Sequence, residues 1–359
     1  EISECLVGSE MCIRDRYMGK INLFKADYIN STKGKNFTPW INYVKGIAII
    51  LVLIAHDLEG DNWLNIWIYS FHMPVFMVLS GFLIKETTIS QPFSKVLKKY
   101  LKSLILPYYL IGFCVLLIEV AKDIIQRDIS VKNELTLLFN WIFMIGIKAD
   151  WFLPCLFFGI IINILLLKLF NGNRIFLTIA VICIAVLCCL VPHEIAIINV
   201  LLRGGLASAY ICIGILLRDF KNKSPQLLNQ VKKYIIPLFV LLLAINIALT
   251  VVNGKVSFAA LSFGKNSILF YINGTVGSIM LMLFCKLIGK FKLKVLNYCG
   301  INSIIIMATH MEIMALINTA MEYVLPEKNV VFICISIIAT FIISLLCIPF
   351  ANKVLSKIR

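Results

Sequence analysis

Residues 40–57 read WINYVKGIAIILVLIAHD, and this stretch decides the class of fold. The ten residues from Gly46 to Ala55, between Lys45 and His56, are all apolar or glycine. Such a run satisfies its backbone only as a helix and turns only apolar groups outward, which suits hydrocarbon rather than water. Working outward, the same texture recurs near residues 63–84, 103–121, 150–170, 175–191, 195–217, 234–252, 267–285, 302–324 and 329–350, with the opening helix taken as 43–57. Blocks of about 20 residues cross a hydrocarbon core of about 30 Å. The reading is an all-α integral membrane protein of about ten transmembrane helices in one bundle. Residues 135–147 are also apolar, but this stretch between Glu134 and Lys148 is too short to cross and is expected to be re-entrant or interfacial.

Composition agrees. Of 359 residues, 60% are hydrophobic and 15% charged, against about a quarter charged in soluble domains. That excludes a soluble enzyme, a secreted disulfide scaffold and a disordered regulator. A net charge of +15 invites a nucleic-acid reading, but the basic residues flank apolar blocks and form no stripe with interleaved aromatics, so nucleic acid is not an expected partner. The 12 cysteines contain no CxxC pair and mostly lie inside apolar blocks, where packing is their expected role.

Topology explains the charge. With ten crossings and both termini cytoplasmic, 23 lysines and arginines fall in inner segments and seven in outer ones, as the positive-inside rule requires. The expected location is the cell membrane, with lipid contact all round. Residues 1–17 (EISECLVGSEMCIRDRY) have no basic start leading into an apolar core, resemble translated adapter sequence, and are read as a non-native scar. Residues 18–39 then form a basic cytoplasmic tail, 40–350 the ten-helix membrane domain, and 351–359 a second cytoplasmic tail.

Ionisable side chains inside a membrane are costly and mark candidate function. Lys45 and His56 stand eleven residues apart, about 16 Å along a helix, so the lysine lies near the inner boundary and the histidine in the outer half. His72, in Phe71-His72-Met73-Pro74, enters from outside and shares that half. Arg203 lies eight residues into its helix, and His310 and Glu312 lie near the middle of theirs. Depth can be argued from topology; lateral proximity cannot. The distribution suits a polar cavity open to the outer face. Trp151 suits an interfacial anchor or, with Asp150, an acceptor groove in which the indole stacks on a sugar face. Ser80, Gly81, Asn302 and Ser303 suit close helix packing. Arg203 and Glu312 are candidates to pair with each other or with backbone carbonyls.

These residues resemble the membrane-bound acyltransferase 3 family, particularly its polysaccharide and sugar O-acetyltransferase and fucose 4-O-acetylase-like members. The motifs run in order from Lys45 and His56 through Phe71 to Pro74 with Ser80 to Phe82. They continue with Lys99 to Lys102 ahead of Leu106-Pro107-Tyr108, Trp151 to Phe157, and Gly300 to Ser303 leading to His310. The resemblance implies transfer of an acyl group, usually acetyl from acetyl-CoA on the cytoplasmic side, to a hydroxyl of a carbohydrate acceptor, with no metal. A neutral histidine suits the base that takes the hydroxyl proton, and His56 is the candidate; Arg203 or His72 would stabilise the oxyanion. By the same resemblance, Lys99 and Lys102 meet CoA phosphates, and Lys45 belongs to the donor side. Where the family commonly has arginines this chain has Lys45, Lys99 and Lys102, and Asn42 stands where aspartate is usual; lysine lacks arginine's bidentate fork.

A second reading stays open: a transporter using His56, His72 and Arg203 as a substrate or proton pathway. A third is an inactive relative handling lipid-linked sugars. Motif order and the lack of a visible inverted repeat favour the enzyme. The sequence does not fix the oligomeric state.

Overall fold

The computed structural model describes residues 39–58, 62–127, 130–325 and 327–358. The expected scar and most of the basic tail, residues 1–38, lie outside them. Every regular element among the described residues is helical, apart from one isolated bridge between Ser257 and Ser262. Sixteen α-helices follow in order: α1 Pro39–Asp57, α2 Trp63–Tyr69, α3 His72–Leu83, α4 Thr87–Ser90, α5 Phe93–Tyr100, α6 Leu106–Gln126, α7 Val131–Ile142, α8 Phe152–Leu169, α9 Arg174–Leu190, α10 Ala196–Lys223, α11 Pro225–Val231, α12 Ile235–Asn253, α13 Ser267–Ile288, α14 Lys294–Ile301, α15 Ser303–Glu322 and α16 Val330–Ile358.

Among the described residues nine helical segments are long and apolar enough to cross a membrane, making this a multi-pass membrane protein. The remaining expected crossing, α9, is apolar but has 17 residues, about 26 Å at 1.5 Å per residue. One crossing, Trp63–Leu83, consists of α2 and α3 broken at Ser70 and Phe71. Another runs unbroken from Phe93 to Gln126 through α5, a π-helical turn at Leu101–Ile105, and α6. The lysine cluster of residues 95–102 therefore lies on the first turns of a helix, where an inner loop was expected. Helix α7 makes no crossing: it runs back along α6, so that Tyr108 and Tyr109 hydroxyls donate to the carbonyls of Trp141 and Ile142 at 2.9 and 3.0 Å. At its far end the last helix continues to Ile358, past the expected boundary at residue 350.

Helices α8 and α10 bury 67% of their central window and α12 only 11%, so the first two form the middle of the bundle and α12 its rim. Small residues let the middle close up. A Cβ on Gly81 of α3 would fall 1.9 Å from the Ile211 carbonyl oxygen of α10, and one on Gly214 of α10 would fall 2.0 Å from that of Val78. The same device seats α14 on α1, where a Cβ on Gly300 would meet the Asn42 carbonyl oxygen at 1.9 Å. Without a hydrophobic force between helices in lipid, such backbone approach and interhelical hydrogen bonds hold a bundle together. Asn246 supplies the bonds at the rim: its Oδ1 accepts from Trp67 Nε1 at 2.7 Å and its amide reaches Asn273, which in turn reaches Thr250.

The end of the bundle that carries Lys168 and Arg218 is fastened by cations. Lys168 donates to the carbonyls of Ile89 and Gln91, Arg218 to that of Ile84, and Asp219 receives both Arg174 and Arg218. Three helices thus hold the segment that links α3 to the lysine-bearing α5.

Candidate active site

Three helices bring three histidines together. His56 is in the last turn of α1, His72 opens α3, and His310 is in α15. The ring of His310 stands 5.2 Å from that of His56, centroid to centroid. Tyr69 lies between His56 and His72, with edge-on ring contacts at 6.3 and 4.9 Å. His56 and His72 open onto a cavity of about 70 Å³ whose wall includes Val52, Tyr69, Trp151, Phe258 and Met307.

Each histidine is held by its local backbone. Beside His56, the Asn65 side chain donates to the carbonyls of Ala55, at 2.8 Å, and Leu58. Asp57, fully buried, accepts from Asn318 at 3.1 Å and faces Lys328 at 3.7 Å. The last turn of α1 is therefore pinned on both sides of the histidine. His72 sits where α2 ends and Pro74 begins a new helical direction, and its Nδ1 meets the Ile68 carbonyl at 2.9 Å across the break. That bond serves the break itself, while the buried ring still walls the cavity. His310 meets the Met307 carbonyl through Nδ1 at 2.6 Å. A carbonyl only accepts, so in both residues the proton is on Nδ1 and Nε2 carries the lone pair.

Trp151 stacks on Phe258 at 6.1 Å and 15°, and the guanidinium of Arg203 stands 5.5 Å from the indole. Arg203 also donates from Nε to Ala259 at 2.9 Å and from Nη1 to Ile145 at 3.0 Å. It ties the segments on either side of the cavity, 143–151 and 254–266, to α10. Arg203 and Glu312 do not pair with each other: Glu312 takes Lys122, which also holds Glu119 at 2.6 Å, and Arg203 takes the two carbonyls. Asp150, next to Trp151, does not line the cavity; its buried carboxylate faces Gly112 of α6, where a Cβ would lie 3.0 Å from Oδ2.

The lysines are elsewhere. Lys45 is eleven residues down α1 from His56, and Lys99 and Lys102 are exposed on the α5 side of the bundle, Lys99 lying 5.2 Å over the ring of Tyr100. Among the described residues no group of three or more His, Cys, Asp or Glu side chains is placed to hold a metal ion.

Sequence reading missed Tyr69, Phe258 and the two pins Asn65 and Asp57. A signal for Phe258 existed: its segment is bracketed by Gly254 and Gly264, both with φ near +75°, which mark a tight excursion that comes back onto the bundle. Asn65 left no signal, because a short amide near a helix start suits a cap as well as a clamp.

Comparison with known proteins places the chain in a family. The chain is 38% identical over 91 residues to "Nodulation protein NolL" of Sinorhizobium fredii (strain NBRC 101917 / NGR234), a match that covers 23% of this chain and 24% of that protein. The chain thus spans about a quarter of the curated relative it matches. No solved structure matches it. Residues 38–348 match the family described as acyltransferase domain, acyltransferase 3, a stretch that takes in all three clustered histidines and ends inside the last crossing. The chain belongs to that acyltransferase family.

Proposed function

We propose that this protein moves an acetyl group from cytoplasmic acetyl-CoA to a hydroxyl of a cell-surface or lipid-linked carbohydrate, with His56 as general base. The observation that carries this reading is the shared cavity of His56, His72 and Trp151. A hydroxyl is a poor nucleophile, and a neutral imidazole that takes its proton during attack on a thioester gains about 10² to 10⁴ in rate. His56 is half-buried and opens onto the cavity, as that role needs. The cavity, about 70 Å³, is well below the few hundred Å³ of a complete small-molecule site, so it takes the reacting groups and not the whole of either substrate. Trp151, Phe258 and Tyr69 offer ring faces against which the apolar side of a sugar packs. Trp151 is the acceptor contact.

In this reading both termini and the lysine-rich end of the bundle face the cytoplasm of the cell membrane, following the skew of basic residues. Lys45, Lys99 and Lys102 then meet the donor's phosphates, and the histidine cavity opens toward the other face.

The test uses sealed proteoliposomes with labelled acetyl-CoA supplied only on the lysine-rich face and carbohydrate extract only on the other. Label in carbohydrate on the far side is the expected result. Label appearing only in water, or in no acceptor with any acyl-CoA, would overturn the proposal.

A further inference from the structure

His310 has a feature that packing does not explain. Its side chain is fully buried, its Nδ1–H is committed to the Met307 carbonyl at 2.6 Å, and its Nε2 accepts no hydrogen bond. A buried acceptor left bare costs free energy, about 1–3 kcal/mol, which a leucine at that position would not. The ring of His56 stands 5.2 Å away and tilted by 48°. At that separation a nitrogen of each ring comes within hydrogen-bond range when the two point toward each other.

We propose that His310 is a positioning residue: its bare Nε2 accepts the N–H of His56 and so fixes which His56 nitrogen faces the cavity as the base. Helix α15 sets this up, because the Met307 carbonyl holds the His310 proton on Nδ1 and leaves Nε2 able only to accept. As the acceptor hydroxyl attacks, its proton passes to the cavity-facing nitrogen of His56. The imidazolium is then held by its other N–H against His310, and the proton returns to the leaving thiolate when the tetrahedral intermediate collapses. No proton crosses to His310. The arrangement orients a base through a second acceptor, as a buried carboxylate does in a serine-protease triad, with a neutral ring in place of the charge that a membrane interior disfavours. This inference rests on His56 being the base.

The experiment compares His310→Met, which keeps bulk without an acceptor, with His310→Gln, whose amide oxygen reaches the Nε2 position. With matched melting temperatures, His310→Met should lower kcat about a hundredfold and leave both KM values within about twofold, while His310→Gln recovers at least a third of the wild-type kcat. Ring-¹⁵N histidine spectra of protein in lipid are the second measurement, practical because the chain has 4 histidines. Wild type should show His310 protonated on Nδ1 and His56 as a single tautomer, and His310→Met should turn His56 into a mixture of both. Equal kcat in all three proteins, equal losses in Met and Gln, or a His56 spectrum unmoved in His310→Met would each overturn the proposal. The spectra need no turnover, so loss of the base assignment itself, seen as an active His56→Ala, is told apart from failure of the His310 role.

Discussion

At the scale of single residues, Arg203 shows what sequence depth predicts and what it does not. An arginine inside a membrane helix is read as functional, and its position eight residues into α10 suited an oxyanion donor. In the structure its charge is spent on two carbonyls and an indole face. Hydrogen bonds from a charged donor contribute about 1.5–3 kcal/mol each, so Arg203→Ala should destabilise the fold by about 3 kcal/mol. Its denaturation temperature in detergent should fall together with activity, because Trp151 loses its cationic neighbour. An Arg203→Ala protein of unchanged stability and abolished transfer would instead place the guanidinium at the reacting atoms. Trp151 itself was legible as a sugar-stacking candidate, and it walls the cavity. Its neighbour Asp150, proposed from the same dipeptide, turns away toward α6, because successive residues at the start of a helix point in different directions.

At the scale of elements, small residues place the chemistry. Helices α3 and α10 carry His72 and Arg203, and the reciprocal contacts of Gly81 and Gly214 set how closely the two approach. A methyl group at Gly214 would lie 2.0 Å from a backbone oxygen, which no side-chain rotation relieves. Gly214→Ala should therefore destabilise by at least about 2 kcal/mol, within the range for overpacking, and slow acyl transfer by moving His72. Thermal inactivation in lipid followed by a transfer assay at permissive temperature checks both. A protein as stable as wild type would mean that the two helices have room to part. Gly81 was readable as a packing residue, and its close approach to Ile211 matches that reading, while Ser80 donates to the Phe76 carbonyl of its own helix. The break between α2 and α3 was less readable, since Ser70 and Phe71 lack a breaker of their own and Pro74 acts from three residues downstream. The split of the basic cluster from a loop onto α5 was not readable either: a helix start and a loop with the same lysines have the same composition.

At the scale of the whole molecule, membrane insertion and approximate boundaries follow from apolar length, because lipid leaves a spanning chain no alternative to helix; of the ten crossings expected, nine are long and apolar enough among the described residues. The short α9 and the returning α7 are the places where length alone divides poorly, the first at 17 residues and the second at 12. The site divides along the same line. Motif order placed His56, His72, Trp151 and His310 in one set; the first three line one cavity, and His310 stands outside its wall with its ring 5.2 Å from that of His56. Which helix neighbours which is decided by glycine contacts and buried amides between residues up to 261 positions apart, as for Asn318 and Asp57, and no periodicity in the chain records that. The basic residues sort differently: Lys168, Arg174 and Arg218 anchor the α3–α5 connection, while Lys99 on α5 and Lys102 in the π-helical turn after it are exposed.

The most direct test of the account is single-turnover transfer of labelled acetyl from acetyl-CoA in proteoliposomes holding wild type or His56→Ala, with folding of both verified by melting temperature. Wild type should transfer, and His56→Ala should be at least about a hundredfold slower, the lower end of what a positioned base contributes. Transfer by His56→Ala at the wild-type rate would contradict it and move the base to another group on the cavity wall.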